Sequence, residues 1–173
     1  MAENVEAVSK LDQAHGKVTV AISAAVVSAA GTGELITYSL GSCLGLTIYD
    51  PAVRVGGLIH CMLPASKTDP EKAKNRPAMF VDTGVVELLN AIFDSGGQPE
   101  RLIIKAAGCA APLDSAGRFR IGERNLTIVR KVLWNNDLII GAEDVGGNQP
   151  RTMSLELETG RTVIRTKGAE TEL

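Results

Sequence analysis

The chain has 173 residues, of which 45% are hydrophobic and 22% charged; these are ordinary globular proportions at the size of one compact domain, which excludes a largely disordered chain and argues against separate cofactor and substrate domains. Lys and Arg total 18 against 20 Asp and Glu, and aromatics make up 3%, so both the basic footprint and the stacking platforms of a nucleic-acid binder are missing. No apolar run approaches the roughly 18 residues of a membrane helix, and the opening MAENVEAVSK lacks a signal peptide's pattern, so a cytoplasmic protein without direct membrane insertion is expected.

Residues 1–16 are polar and without sustained periodicity, and read as a flexible leader. Val18, Val20 and Ile22 then alternate with smaller or polar residues, as in a half-buried strand. Gly31-Thr32-Gly33 marks a turn before a second strand over Glu34 to Tyr38. After Gly41-Ser42-Cys43, Leu44, Leu46 and Ile48 alternate up to the turn at Asp50-Pro51, and Val55 to Leu63 reads as the antiparallel partner strand. Residues 65–77 are polar and read as a mobile surface loop.

Asp82 is the expected N-cap of a helix whose Val81, Val85, Leu88, Leu89 and Ile92 share one face. Leu102-Ile103-Ile104 suggests a further strand, residues 108–122 read as irregular, and Glu123 to Trp134 as a second amphipathic helix carrying Leu126, Val129 and Leu133. Leu138 to Ala142 returns as a strand, and residues 152–157 and 161–165 form a terminal hairpin. Residues 167–173 read as a flexible tail. Many strands and two convincing helices predict a single α+β domain over residues 17–166.

Neither a Walker loop, a dinucleotide glycine fingerprint nor a zincin motif occurs, so no cofactor is expected. Asn125-Leu126-Thr127 matches a glycosylation acceptor but falls within a predicted helix, and is read as structural. Three cysteines, Cys43, Cys61 and Cys109, do not make a disulfide framework at this length. Cys43 follows Gly41-Ser42 at a bend, where backbone N–H groups of Gly41 and Ser42 can converge on an oxyanion. A free thiol is only about 3% ionised at pH 7, so attack needs a base. His60, on the expected partner strand, is the candidate base, and Thr37, six positions before Cys43, can orient its ring. A buried, inert cysteine beside a packed histidine is the plainer alternative. A metal site is disfavoured, since His60 and Cys61 point to opposite faces of one strand. Cys61 and Cys109 are read as structural.

The segments Thr37-Tyr38-Ser39-Leu40-Gly41-Ser42-Cys43, Gly56 to Pro64, Ile121-Gly122-Glu123-Arg124-Asn125 and Ala142 to Gly147, together with the closing segment through Arg151 and Thr159-Gly160, resemble the CheD family in the family's order. The resemblance implies a β-sheet or sandwich core flanked by helices, similar to deamidating-toxin catalytic domains. It implies a cysteine hydrolase that converts chemoreceptor glutamines to glutamates without metal or cofactor, with Cys43 as nucleophile, His60 as base and Thr37 as third member. It implies chemoreceptor cytoplasmic helices as substrate and a CheC-type phosphatase as a partner. A regulatory module binding that phosphatase with little or no catalysis, or a receptor methylesterase, are the alternatives. At residues 105–113 the chain departs from the family pattern, lacking a bulky residue and a glycine, with Cys109 following Gly108.

Overall fold

The computed structural model describes residues 8–11, 16–111 and 119–173. In chain order the elements are β1 (Ser9–Leu11), β2 (Lys17–Thr19), β3 (Ala24–Ser28), β4 (Glu34–Leu40), β5 (Leu44–Asp50), β6 (Val55–Cys61), α1 (Pro70–Asn75), α2 (Val81–Asp94), β7 (Ile103–Gly108), α3 (Ile121–Trp134), β8 (Ala142–Val145), β9 (Arg151–Glu156), β10 (Thr162–Thr166) and β11 (Ala169–Glu172). Two mixed sheets result, in the orders β1-β3-β6-β5-β7-β8 and β11-β10-β9-β4-β2. The architecture is the α+β domain expected from the sequence.

The layering follows from the period of two in the strands. In β5, Leu44, Leu46 and Ile48 pack with Val85, Leu88, Leu89 and Ile92 of α2 and with Val129 and Leu133 of α3. Tyr49 and, on β6, Leu58 face the other way, where they meet Leu35, Met153, Leu155 and Ile164 of the second sheet. The six-stranded sheet is therefore a middle layer with helices on one face and the second sheet on the other. Each of these fully buried aliphatic side chains contributes roughly 1.5–3 kcal/mol, and both cores run through the middle sheet.

The expected β5–β6 hairpin forms in the register that pairs Leu44 with Cys61 and Gly45 with His60. The terminal hairpin forms too, as β9 and β10. Several boundaries differ. The strand β3, which pairs with β6, has no alternation to announce it, because Ala24 to Ser28 is nearly uniform in polarity. Residues 65–77 are ordered as short 3-10 turns around α1, whose first turn is capped by the Asp69 carboxylate accepting from the Lys72 N–H. Asp82 is not the N-cap of α2, since Phe80 holds that place; its carboxylate instead accepts from the Ser66 N–H and hydroxyl at 2.9–3.0 Å. The last strand before the terminal hairpin is Ala142–Val145 rather than residues 138–142. Within the segment read as a leader, Ser9–Leu11 adds to β3 in parallel. Within the segment read as a tail, Ala169–Glu172 pairs with β10, because an unpaired β10 edge offers N–H and C=O groups that a following segment can satisfy.

Candidate active site

Thr37 and His60 come from different sheets and meet in the layer between them. Thr37 shares the inward face of β4 with Leu35, and His60 shares that of β6 with Leu58. The Thr37 Oγ1 lies 2.7 Å from His60 Nδ1 and donates to the Val20 carbonyl, also at 2.7 Å. A threonine hydroxyl has one proton. With that proton on Val20, Oγ1 can only accept, so the contact with the ring is Nδ1–H donating to oxygen. The imidazole is thereby fixed as the Nδ1–H tautomer, and Nε2 keeps its lone pair. Nε2 is buried and has no hydrogen-bond partner among the described residues. It is a free proton acceptor of fixed orientation, as a general base requires.

Cys43 stands two residues before Gly45, the residue opposite His60. It is partly exposed, whereas Cys61 and Cys109 are buried. Cys61 packs on the helix side of the middle sheet, away from His60, which separates the two as potential ligands of one ion. Burial pulls the His60 imidazole down from 6.5 to about 4, and burial raises the Cys43 thiol above its ordinary value against a smaller downward pull from its own backbone N–H. Both shifts favour the uncharged forms. At rest the thiol and the imidazole are both neutral.

The segment around Cys43 is fastened to the end of β7. Cys109 N–H donates to the Cys43 carbonyl and Ala110 N–H to the Gly41 carbonyl, each at 2.8 Å. Gly108 makes this possible: its φ is +93°, and a Cβ there would stand 2.3 Å from the Cys43 carbonyl oxygen. Of the residues that depart from the family pattern, Gly108, Cys109 and Ala110 thus adjoin the Cys43 segment; residues 112 and 113 lie outside those described. Gly41 was expected to help hold an oxyanion, but its N–H already donates to Ser39 O at 2.9 Å. The N–H groups of Ser42 and Cys43 have no backbone acceptor among the described residues, and they remain as candidate donors.

Several residues around the site carry no sequence signal of their own. Ser23 (φ 60°), Ser39 (φ 59°) and Cys109 (φ 50°) are non-glycine residues in the left-handed region. All three adjoin the site: Ser23 N–H donates to the His60 carbonyl at 2.9 Å, Ser39 sits in the register shift of β4 that follows Thr37, and Cys109 bonds Cys43. Arg54, Arg120, Asp137 and Lys167 share this conformation at turns and element ends elsewhere, so the backbone strain is not confined to the site. Val20, whose carbonyl decides the tautomer, reads in the sequence only as a core residue.

The family model described as CheD chemotactic sensory transduction matches residues 62–166. The curated relatives cover more of the chain. "Probable chemoreceptor glutamine deamidase CheD 1" of Syntrophus aciditrophicus (strain SB) is 46% identical over 153 residues, covering 88% of this chain and 96% of the relative. "Probable chemoreceptor glutamine deamidase CheD" of Solibacter usitatus (strain Ellin6076) is 43% identical, covering 80% of this chain and 82% of the relative. "Probable chemoreceptor glutamine deamidase CheD 2" of Anaeromyxobacter dehalogenans (strain 2CP-C) is 39% identical, covering 86% and 93%. Among the described residues, no helix is long and apolar enough to cross a membrane.

Proposed function

This chain belongs to the CheD family, and from that premise we propose that it is a chemoreceptor glutamine deamidase working through Cys43, His60 and Thr37. The observation that supports the residue assignment is the pair of 2.7 Å contacts at Thr37, which orient the His60 ring and leave Nε2 unprotonated, on the strand paired with the one that the partly exposed Cys43 precedes by one residue.

Cys43 Sγ attacks the carbon of a glutamine side-chain amide while Nε2 takes the thiol proton. The oxygen becomes an oxyanion, held by the N–H groups of Ser42 and Cys43. Nε2 then gives that proton to the amide nitrogen, the C–N bond breaks, and ammonia leaves behind a thioester on Cys43. Water attacks the thioester, its proton passes to Nε2, the C–S bond breaks, and the proton returns to sulfur. The sum is amide plus water giving carboxylic acid plus ammonia, with the enzyme regenerated. Thr37 stabilises the imidazolium formed in each half by accepting from Nδ1–H.

The direct test is mass spectrometry of receptor cytoplasmic fragments incubated with the wild-type protein. Conversion of particular glutamines to glutamates, with ammonia released in equal amount, is expected. Fragments left unconverted by a protein that still binds a CheC-type phosphatase would overturn the enzymatic reading in favour of a binding module. Release of methanol from methylated receptors, without deamidation, would assign the same nucleophile to ester hydrolysis.

A further inference from the structure

Asn125 lies in the second turn of α3 and is fully buried, an unusual place for an amide that favours caps and turns. Its Nδ2 donates to the Ser42 carbonyl at 2.9 Å and to the Met62 carbonyl at 3.2 Å. Ser42 immediately precedes the nucleophile, and Met62 is two residues beyond His60. The last register pair of β5 and β6 is Leu44 with Cys61. The amide group therefore acts as one more rung beyond the end of the ladder, tying the nucleophile's segment to the base's strand. The first turn of α3 is pressed onto the same region, since a Cβ at Gly122 would stand 2.3 Å from the Cys109 carbonyl oxygen. Meanwhile the Asn125 Oδ1 is buried without a hydrogen-bond partner among the described residues.

We propose that Asn125 is a positioning residue of this enzyme, whose amide holds the Cys43 segment in register with His60. The proposal rests on the assignment of Cys43 and His60 above. Without the amide the Ser42 and Met62 carbonyls separate, Cys43 becomes more solvated, and the segment that carries the sulfur loses its register with the strand of His60. A displacement of about 1 Å at a reacting group costs on the order of a hundredfold in rate.

The test compares wild type, Asn125→Ala and Asp50→Asn in the full chain. Asp50 sits at the far end of β5, holding Arg101, and its variant loses stability without touching the site. Two readouts are taken on folded protein: kcat and KM on receptor fragments, and the pH midpoint of iodoacetamide alkylation at Cys43, followed by peptide mass spectrometry. For Asn125→Ala, kcat falls about a hundredfold with KM essentially unchanged. Its alkylation midpoint drops from the raised wild-type value toward about 8.5, the ordinary cysteine value. Asp50→Asn keeps both at wild type. A wild-type midpoint and kcat in Asn125→Ala would overturn the proposal. If no fragment is deamidated even by wild type, the deamidase reading fails while the alkylation midpoint still decides the role of Asn125. Should Asn125→Ala fail to fold, Asn125→Ser, which keeps one donor, is expected to show part of the same shift, and an unshifted midpoint there would equally overturn it.

Discussion

At the scale of single residues, the hydroxyl of Thr37 decides what His60 can do. Replacing it by Val removes the acceptor for Nδ1–H and frees the ring to adopt the other tautomer, in which Nε2 carries the proton and cannot act as base. Thr37→Val is expected to lower kcat by roughly 10²–10⁴, while Thr37→Ser retains most activity; equal activity of the two variants would contradict the tautomer argument. The low value of His60 also leaves a mark on stability. Its imidazole titrates near 4 in the folded protein and at 6.5 when unperturbed, so between those values the unfolded chain binds the extra proton. Stability from this residue is complete above 6.5 and declines by roughly 1.4 kcal/mol per pH unit as pH falls toward 4. Urea unfolding between pH 7 and pH 5 should show a loss in wild type that is smaller in His60→Gln, and parallel losses would contradict it.

At the scale of elements, the junction of β7 with the Cys43 segment depends on a backbone that no side chain allows. Gly108→Ala combines a left-handed φ with a Cβ driven into the Cys43 carbonyl, so it should reduce both the melting temperature and kcat. Unchanged kcat would show that the Cys109 and Ala110 bonds do not hold the nucleophile. By contrast, Leu88→Ala on α2 empties a site in the helix-side core and should cost about 2–5 kcal/mol in urea unfolding, with kcat unaltered in the protein that remains folded. The apolar face of α2 was legible because five residues repeat at helical spacing, and the β5–β6 hairpin because alternation ends at Asp50-Pro51. β3 was not, because its small and apolar residues sit between two other strands and carry no alternation. The cap was misplaced on Asp82 because a carboxylate at a helix start serves a neighbouring turn as readily as its own helix, and only the approach of Ser66 decides between them.

At the scale of the whole molecule, the site exists only when the two sheets are stacked. His60 belongs to the middle sheet and Cys43 to the bend that enters it, Thr37 belongs to the outer sheet, and α3 supplies Asn125 from the other side of the middle sheet. Loss of activity in urea should therefore coincide with loss of the far-UV signal, as for a single cooperative unit; an earlier loss of activity would mean that the sheets separate before the fold is lost. This layering also explains which parts of the site could be read from the sequence. Cys43 and His60 stood out as the chemistry-bearing pair on adjacent strands. Thr37 was accessible through its spacing to Cys43. The Val20 carbonyl and the Asn125 amide were hidden, since a backbone acceptor has no sequence signal, and the reading of the NLT triplet as structural fits the burial of Asn125 but gives no link to the site.

Ammonia release from receptor fragments by wild type and by Cys43→Ala, compared side by side with circular dichroism of both, is the measurement on which the account depends most. It predicts release by the wild type, none by the variant, and superimposable spectra. Undiminished release by Cys43→Ala would contradict it, because the other two thiols, Cys61 and Cys109, are buried.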